Sequence, residues 1–213
     1  MGLSACSRTP ETRRRDMTTA PPIVDRYGAR TAPDALQLVQ SLANTISVGS
    51  EPDLLDDLPA ARAWANQLWP VLDRRQGKGW GEETLNVGDL ATLRELRTAV
   101  RAALGTSGPR STALSGDSDA TRFDIATVLR TTERGVTVLP EGNAGQRLAG
   151  AVVIALWESQ LTGKARQLKL CRNPRCQIAF YDASRNQSGT WHSGARCGNA
   201  SRVHTYRALK ASS

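Results

Sequence analysis

Near the end of this 213-residue chain, Cys171, Cys176, His192 and Cys197 stand in the order C-x4-C-x15-H-x4-C. Three of the chain's four cysteines and one of its two histidines fall in this run. Two close pairs of soft or borderline donors, with a spacer long enough for a β-hairpin, suit a tetrahedral Zn2+ that keeps no open coordination position. The expectation is one closed, structural zinc held by these four side chains. A disulfide plus a spare thiol is the other reading, and the absence of a visible secretory signal argues against it.

Asn173-Pro174 lies between the first two cysteines, and this turn-initiating pair lets the backbone fold back and aim both sulfurs at one point. Ile178, Phe180 and Tyr181 form a short β-prone run, residues 184–189 are turn-rich, and Thr190-Trp191 returns as a second strand toward His192. Residues 194–210 have a helical composition with Ser193 as N-cap, which puts Cys197 near a helix start whose dipole favours thiolate. The predicted order of knuckle, hairpin and helix resembles a treble-clef finger. His204 competes with His192 for the metal, but seven helical residues would place it about 10 Å from Cys197 along the axis. His192 is therefore the fourth ligand, and Arg172, Arg175 and Arg196 are close enough in sequence to offset the −1 charge of a three-thiolate zinc site.

Charge separates the chain into two parts. Residues 164–213 hold ten Lys or Arg and one acid, Asp182, a balance of +9; with +8 on the whole chain, the first 163 residues carry −1. Cations gathered on a small zinc-stapled module suit a polyanion, because each phosphate contact releases condensed counterions. Stepping 100° per residue from Cys197 puts Asn199, Arg202, Tyr206 and Lys210 on the outward helix face, with Ser201, His204 and Ala208 inward. Arg and Asn suit bidentate contacts with guanine and adenine, and Tyr and Lys suit phosphates. Arg185 in the hairpin turn is a further nucleic-acid candidate. Duplex DNA is the expected partner.

Upstream, 39% hydrophobic but only 5% aromatic residues imply an aliphatic, mainly helical interior. Leu36, Val39, Leu42, Ala43 and Ile46 recur at helical spacing, as do Leu90, Leu93, Leu96, Val100 and Leu104, with Asn86 as cap and Gly105 as stop. Pro59 suits the first turn of a short helix ending before Pro70. Residues 145–161 read as a central buried helix, since their ten-residue apolar run is too short to span a bilayer. Residues 122–140 suggest one or two short strands, and residues 105–120 a surface loop. Asp53, Asp56 and Asp57 suit a helix start better than a cation site. The fold class expected is thus a mainly α N-terminal domain with one or two short strands and a small C-terminal finger.

The expected organisation is a disordered basic stretch over 1–20, a helical sensing or dimerisation domain over 30–163 and the finger over 167–211. Leu3-Ser4-Ala5-Cys6 matches a lipoprotein box only superficially, because no hydrophobic segment precedes it, and Met17 is an alternative start. A cytoplasmic location follows from this reading. No Gly-rich phosphate loop, nucleophile elbow or His-Glu-x-x-His is present, so an enzyme is not expected.

Cys197-Gly198-Asn199, with Trp191-His192-Ser193 before it and Phe180-Tyr181-Asp182 and Ser184-Arg185-Asn186 further upstream, resembles the CGNR zinc finger, a bacterial C-terminal module. Arg202, Tyr206 and Arg207 match the basic, Tyr-containing helix that follows the motif. Two positions depart from the pattern: His192 stands where the family has cysteine, and Ala200 where it has the motif arginine. Residues 35–45, the acidic 53–58, Trp64 and Leu93-Arg94-Glu95-Leu96-Arg97 are similar to the ABATE domain that commonly precedes this finger. The resemblance implies a stress-induced transcription regulator that binds DNA through the finger, including Arg207, and takes a small-molecule effector or protein partner at the N-terminal domain. It implies no membrane association and leaves oligomeric assembly open.

Overall fold

Apolar spacing sets the helices of the N-terminal body. In the computed structural model, which describes residues 26–76, 80, 84–106, 122–133, 135–200, 202 and 210, α1 (Leu36–Ala43) buries Leu36, Leu38, Val39, Leu42 and Ala43. Helix α2 (Leu58–Gln76) begins where Asp57 Oδ2 accepts the Ala60 N–H at 3.0 Å, the helix-start role expected of this acidic stretch. Asp53 is instead committed to Arg97, whose Nη1 lies 2.7 Å from Oδ1. The predicted end before Pro70 is wrong: α2 continues through Pro70 to Gln76. A mid-helix proline costs about 3 kcal/mol. Burial of Leu68, Trp69, Val71 and Leu72 on either side of it offsets that cost.

Helix α3 (Val87–Thr106) is capped as the sequence suggested. The Asn86 N–H donates to Asp89 Oδ2 at 2.8 Å and the Asp89 N–H to Asn86 Oδ1 at 3.3 Å, a reciprocal cap. Its buried stripe is the predicted Leu90, Leu93, Leu96, Val100 and Leu104. The predicted strands form one antiparallel hairpin, β1 (Thr127–Thr132) with β2 (Gly135–Pro140). Most of its residues are exposed, so it packs on the body mainly through Pro140. The expected loop over 105–120 and the basic stretch over 1–20 fall outside the described residues, apart from Gly105 and Thr106, which lie inside α3.

Helix α4 (Ala144–Leu161) is the predicted central helix. An Asn143–Gln146 capping box starts it, and it packs against α1, α3 and β2. Gly150 permits the β2 contact: a Cβ there would lie 2.4 Å from Pro140. A short 3-10 turn (Ala165–Gln167) then leads into β3 (Leu168–Leu170), which pairs antiparallel with β4 (Ala179–Tyr181). The principal core runs on through this second hairpin, since Leu168 and Ala179 belong to the same buried cluster as α1 to α4. Among the described residues, no helix is long and apolar enough to cross a membrane.

Candidate metal centre

The strand pairing of the finger differs from the sequence expectation. β4 pairs with β3, ahead of the first cysteine, and Thr190-Trp191 is not a strand. Cys171 and Cys176 therefore sit at the tip of the β3–β4 hairpin, with the knuckle as its turn. Within that turn Asn173 Oδ1 accepts the Arg175 N–H at 3.1 Å, and Asn173 O accepts the N–H groups of Cys176 and Gln177 at 2.9 and 3.1 Å. The Cys171 N–H closes the loop on Ile178 O at 2.9 Å. Gln177 takes a left-handed φ of 50° at the bend, and Arg101 Nη2 donates to its carbonyl at 3.1 Å.

His192 and Cys197 arrive from the other side. Thr190 O accepts the Arg172 N–H at 3.0 Å, which ties the returning chain to the knuckle. Ser193 is the predicted N-cap, accepting the Arg196 N–H at 3.2 Å. The helix it starts opens as a π turn over Gly194–Gly198 rather than as an α-helix, with Ser193 O accepting from both Cys197 and Gly198. Such wide turns recur at functional sites.

The four ligand atoms converge. Three thiol sulfurs and one His192 ring nitrogen lie within 4.8 Å of one another. His192 Nδ1 is 3.3 Å from Cys176 Sγ and 3.6 Å from Cys197 Sγ. A tetrahedron with Zn–S near 2.3 Å and Zn–N near 2.0 Å has edges of about 3.5–3.8 Å, so the donor set fits one zinc ion. Zn2+ supplies a cross-link there between the hairpin tip and the helix start. Cys171, Cys176 and Cys197 are buried and reduced, packed with Ala29, Ile178 and Phe180 and flanked by Tyr27, Val48 and Trp191. The contribution of residues 27–48 to this small core carried no local signal in the sequence.

The electrostatics suit a cation site. Without metal, burial pushes the Cys176 thiol up to about 12 and raises that of Cys197. Burial, reinforced by the Arg196 charge, lowers His192 and favours the neutral imidazole that a metal needs. Of the arginines expected to shield the site, Arg172, Arg175 and Arg196 are all exposed. The Asn173 side chain, which has no distinctive signal in the sequence beyond its turn, partly counters the burial that raises the Cys197 thiol.

A second, metal-free brace holds the loop between β4 and His192. Asp182 is buried, and its carboxylate accepts from Lys169 Nζ at 2.7 Å and from the N–H groups of Ser184 and Gly189 at 3.0 and 2.7 Å. Lys169 Nζ also donates to Gln187 O. A Cβ on Gly189 would meet the Asp182 carboxylate at 2.8 Å, so only glycine allows this close approach. Burial alone would raise the Asp182 carboxyl, but Lys169 and the loop N–H groups outweigh it and hold it well below the usual range. Its stabilising contribution is complete above the unfolded carboxyl value of about 3.9 and is lost as pH falls from there through the lower folded value. Lys169→Met strands that carboxylate, with an expected cost of about 3–5 kcal/mol. Urea unfolding reads this cost, and a loss below about 1 kcal/mol would mean that the pair does not brace the loop.

Of the residues chosen for nucleic-acid contact, Arg185, Asn199, Arg202 and Lys210 are described and exposed. Asn199 Oδ1 is 3.5 Å from Arg202 Nη1. Tyr206 and Arg207 lie outside the described residues, as does His204. Ala200 is exposed.

Fold and donor set together define a zinc-finger module with three cysteines and one histidine, built onto a helical body. Residues 167–210 match the family model of the CGNR zinc finger. The match covers the finger and not the helical body. No match to a curated protein reaches significance.

Proposed function

We propose that the chain is a DNA-binding protein, a transcription regulator that grips duplex DNA through its basic zinc finger. The observation that carries this reading is the state of the finger's cations. Arg172, Arg175, Arg185, Arg196, Arg202 and Lys210 are all exposed, and among the described residues none has a carboxylate within ion-pair distance. Elsewhere Arg26, Arg75, Arg94, Arg97 and Arg122 are each paired with an acid, while Arg30, Arg62, Arg74 and Arg130 are exposed without one among the described residues. What sets the finger apart is that ten cations share a single acid, Asp182, over 164–213. Unpaired cations around a rigid, metal-stapled scaffold provide phosphate contacts without first breaking internal ion pairs. The helical body then serves as a sensing or dimerisation unit, the part assigned above to an ABATE-like domain. Zinc has a structural role in this reading, because four protein donors leave no position for a substrate.

Fluorescence anisotropy of zinc-loaded protein with duplex DNA across a salt series tests the proposal. Binding should weaken steeply with salt, and replacing both Arg202 and Lys210 with Ala should lower the log–log slope by about 2. Salt-independent binding, or none at low salt, would overturn it.

A second reading is favoured by the way the finger is seated. Its hairpin contributes Leu168 and Ala179 to the main core, which suits a finger that stabilises the body or presents a protein-binding surface. In that case the chain does not bind DNA and replacing Arg202 and Lys210 has no nucleic-acid effect, whereas zinc removal still unfolds the finger.

A further inference from the structure

A cleft of about 310 Å3 lies between the segment around Arg26 and Glu51 and helices α1 and α2, on the body and away from the four metal ligands. That volume is at the lower end of the range for small-molecule sites, which fits a metabolite rather than a peptide. Its walls include Arg26, Gln37, Ser41, Glu51, Trp64 and Gln67.

Two features define the chemistry. Arg26 is fixed in the wall, its Nη2 donating to Glu51 Oε2 at 2.9 Å and to Pro52 O at 3.0 Å, and its guanidinium lies 5.1 Å from the Tyr27 ring centroid. Its Nη1 is buried and has no hydrogen-bond partner among the described residues. A buried donor without an acceptor is costly, and an incoming oxygen relieves the cost. The nearly buried indole of Trp64 also lines the cleft, and its Nε1 is spent on Ser41 Oγ at 2.9 Å, so the edge it turns to the cleft is apolar.

We propose that this cleft binds a small aromatic carboxylate. The carboxylate meets the Arg26 guanidinium, a pairing that planar fork geometry favours, while the flat body lies along Trp64. Glu51, already at the guanidinium, disfavours a second negative charge, so the ligand is a monoanion. Two amides that line the cleft, Gln40 and Asn44, are held by hydrogen bonds. Gln40 Oε1 accepts the Ala32 N–H at 2.6 Å and its Nε2 donates to Arg30 O and Ala179 O at 2.9 and 3.2 Å, while Asn44 brackets Ala179 through both its N–H and its carbonyl. Ala179 lies three residues beyond the ligand Cys176, so the same two amides line the cleft and hold the metal-bearing hairpin. The ligand of the cleft does not depend on whether the finger binds DNA.

The test is a ligand-observed NMR titration of the zinc-loaded full chain with benzoate, and with benzamide as its neutral counterpart of the same shape. Saturable benzoate binding is expected, at least about tenfold tighter than benzamide. Arg26→Gln should weaken benzoate by a similar factor. Gln67→Trp, at an exposed rim position of α2, should do so by filling the mouth, with zinc content confirming that this variant folds. Absence of saturable binding, equal affinity for benzamide, or full retention of binding in Gln67→Trp would each overturn the proposal.

Discussion

Removing zinc with a chelator lowers the thermal midpoint of the whole chain, not of the finger alone, by at least about 10 °C. Structural zinc sites in finger peptides contribute about 10–16 kcal/mol, whereas a whole domain is stable by only about 5–15 kcal/mol. In many proteins such a loss would be confined to a separate module. Here Leu168 and Ala179 lie in the core shared with α1 to α4, so a hairpin that loses its tip loosens the packing of the body. With about 2–4 °C per kcal/mol for a chain of this size, a loss of a few kcal/mol from the body accounts for the shift. Calorimetry with and without chelator reads it, and an unchanged transition for the body would show that the hairpin folds without metal. His192→Ala should release zinc faster than wild type, while His192→Cys, which keeps four donors, should not. Retention should also weaken at low pH, because the metal displaces thiol protons. In the metal-free protein the sign is opposite. With Cys176 raised to about 12, above the usual thiol value of about 8.5, the buried thiol favours the fold below about pH 8.5, and that contribution is lost as pH rises toward 12.

Asn44→Ala should destabilise the chain by about 2–4 kcal/mol, an effect out of proportion to the few atoms removed. Asn44 Oδ1 accepts the Ala179 N–H at 2.7 Å and its Nδ2 donates to Ala179 O at 2.9 Å, all buried. The alanine leaves the N–H without this acceptor and opens a small void, and orphaned buried polar groups cost about 1–3 kcal/mol each. Gln40 still donates to the Ala179 carbonyl, which limits the loss to one orphan. Because Ala179 follows Cys176 so closely, zinc should also leave Asn44→Ala faster in a chelator-competition assay. A midpoint shift of less than about 2 °C, with unchanged zinc release, would mean that the bracket does not couple the body to the finger.

Local signals carried much of this fold. The periodic spacing of leucines in α3, the Asn86 cap and the turn chemistry of Asn173-Pro174 were legible because each acts within a few residues. The donor set was legible for the same reason, since metal ligands are recognised by type and spacing. Pro70 misled because local propensity was outweighed by burial on either side of it. The strand partner of β4 was misassigned because β3 lies before the first cysteine, where Leu168-Lys169-Leu170 alone is too short to stand out. The Asn44 bracket joins residues 135 apart in sequence, and the Arg101 contact with Gln177 spans 76. No window of sequence holds both partners, and neither a lone Asn nor a lone Arg in a helix declares a distant role. The Asp182 brace was missed for a different reason: one acid among ten cations read as background charge, although in the fold it is buried, ion-paired to Lys169 and hydrogen-bonded to the Ser184 and Gly189 N–H groups.

X-ray absorption at the zinc edge of the purified full chain, together with its metal content, reads the ligand set itself. One zinc per chain is predicted, with three sulfurs near 2.3 Å and one nitrogen near 2.0 Å, and no oxygen at bonding distance. A shell of mixed nitrogen and oxygen, or a shell of three sulfurs and one nitrogen that survives unchanged in His192→Ala, would contradict the assignment of Cys171, Cys176, His192 and Cys197 as a closed structural site.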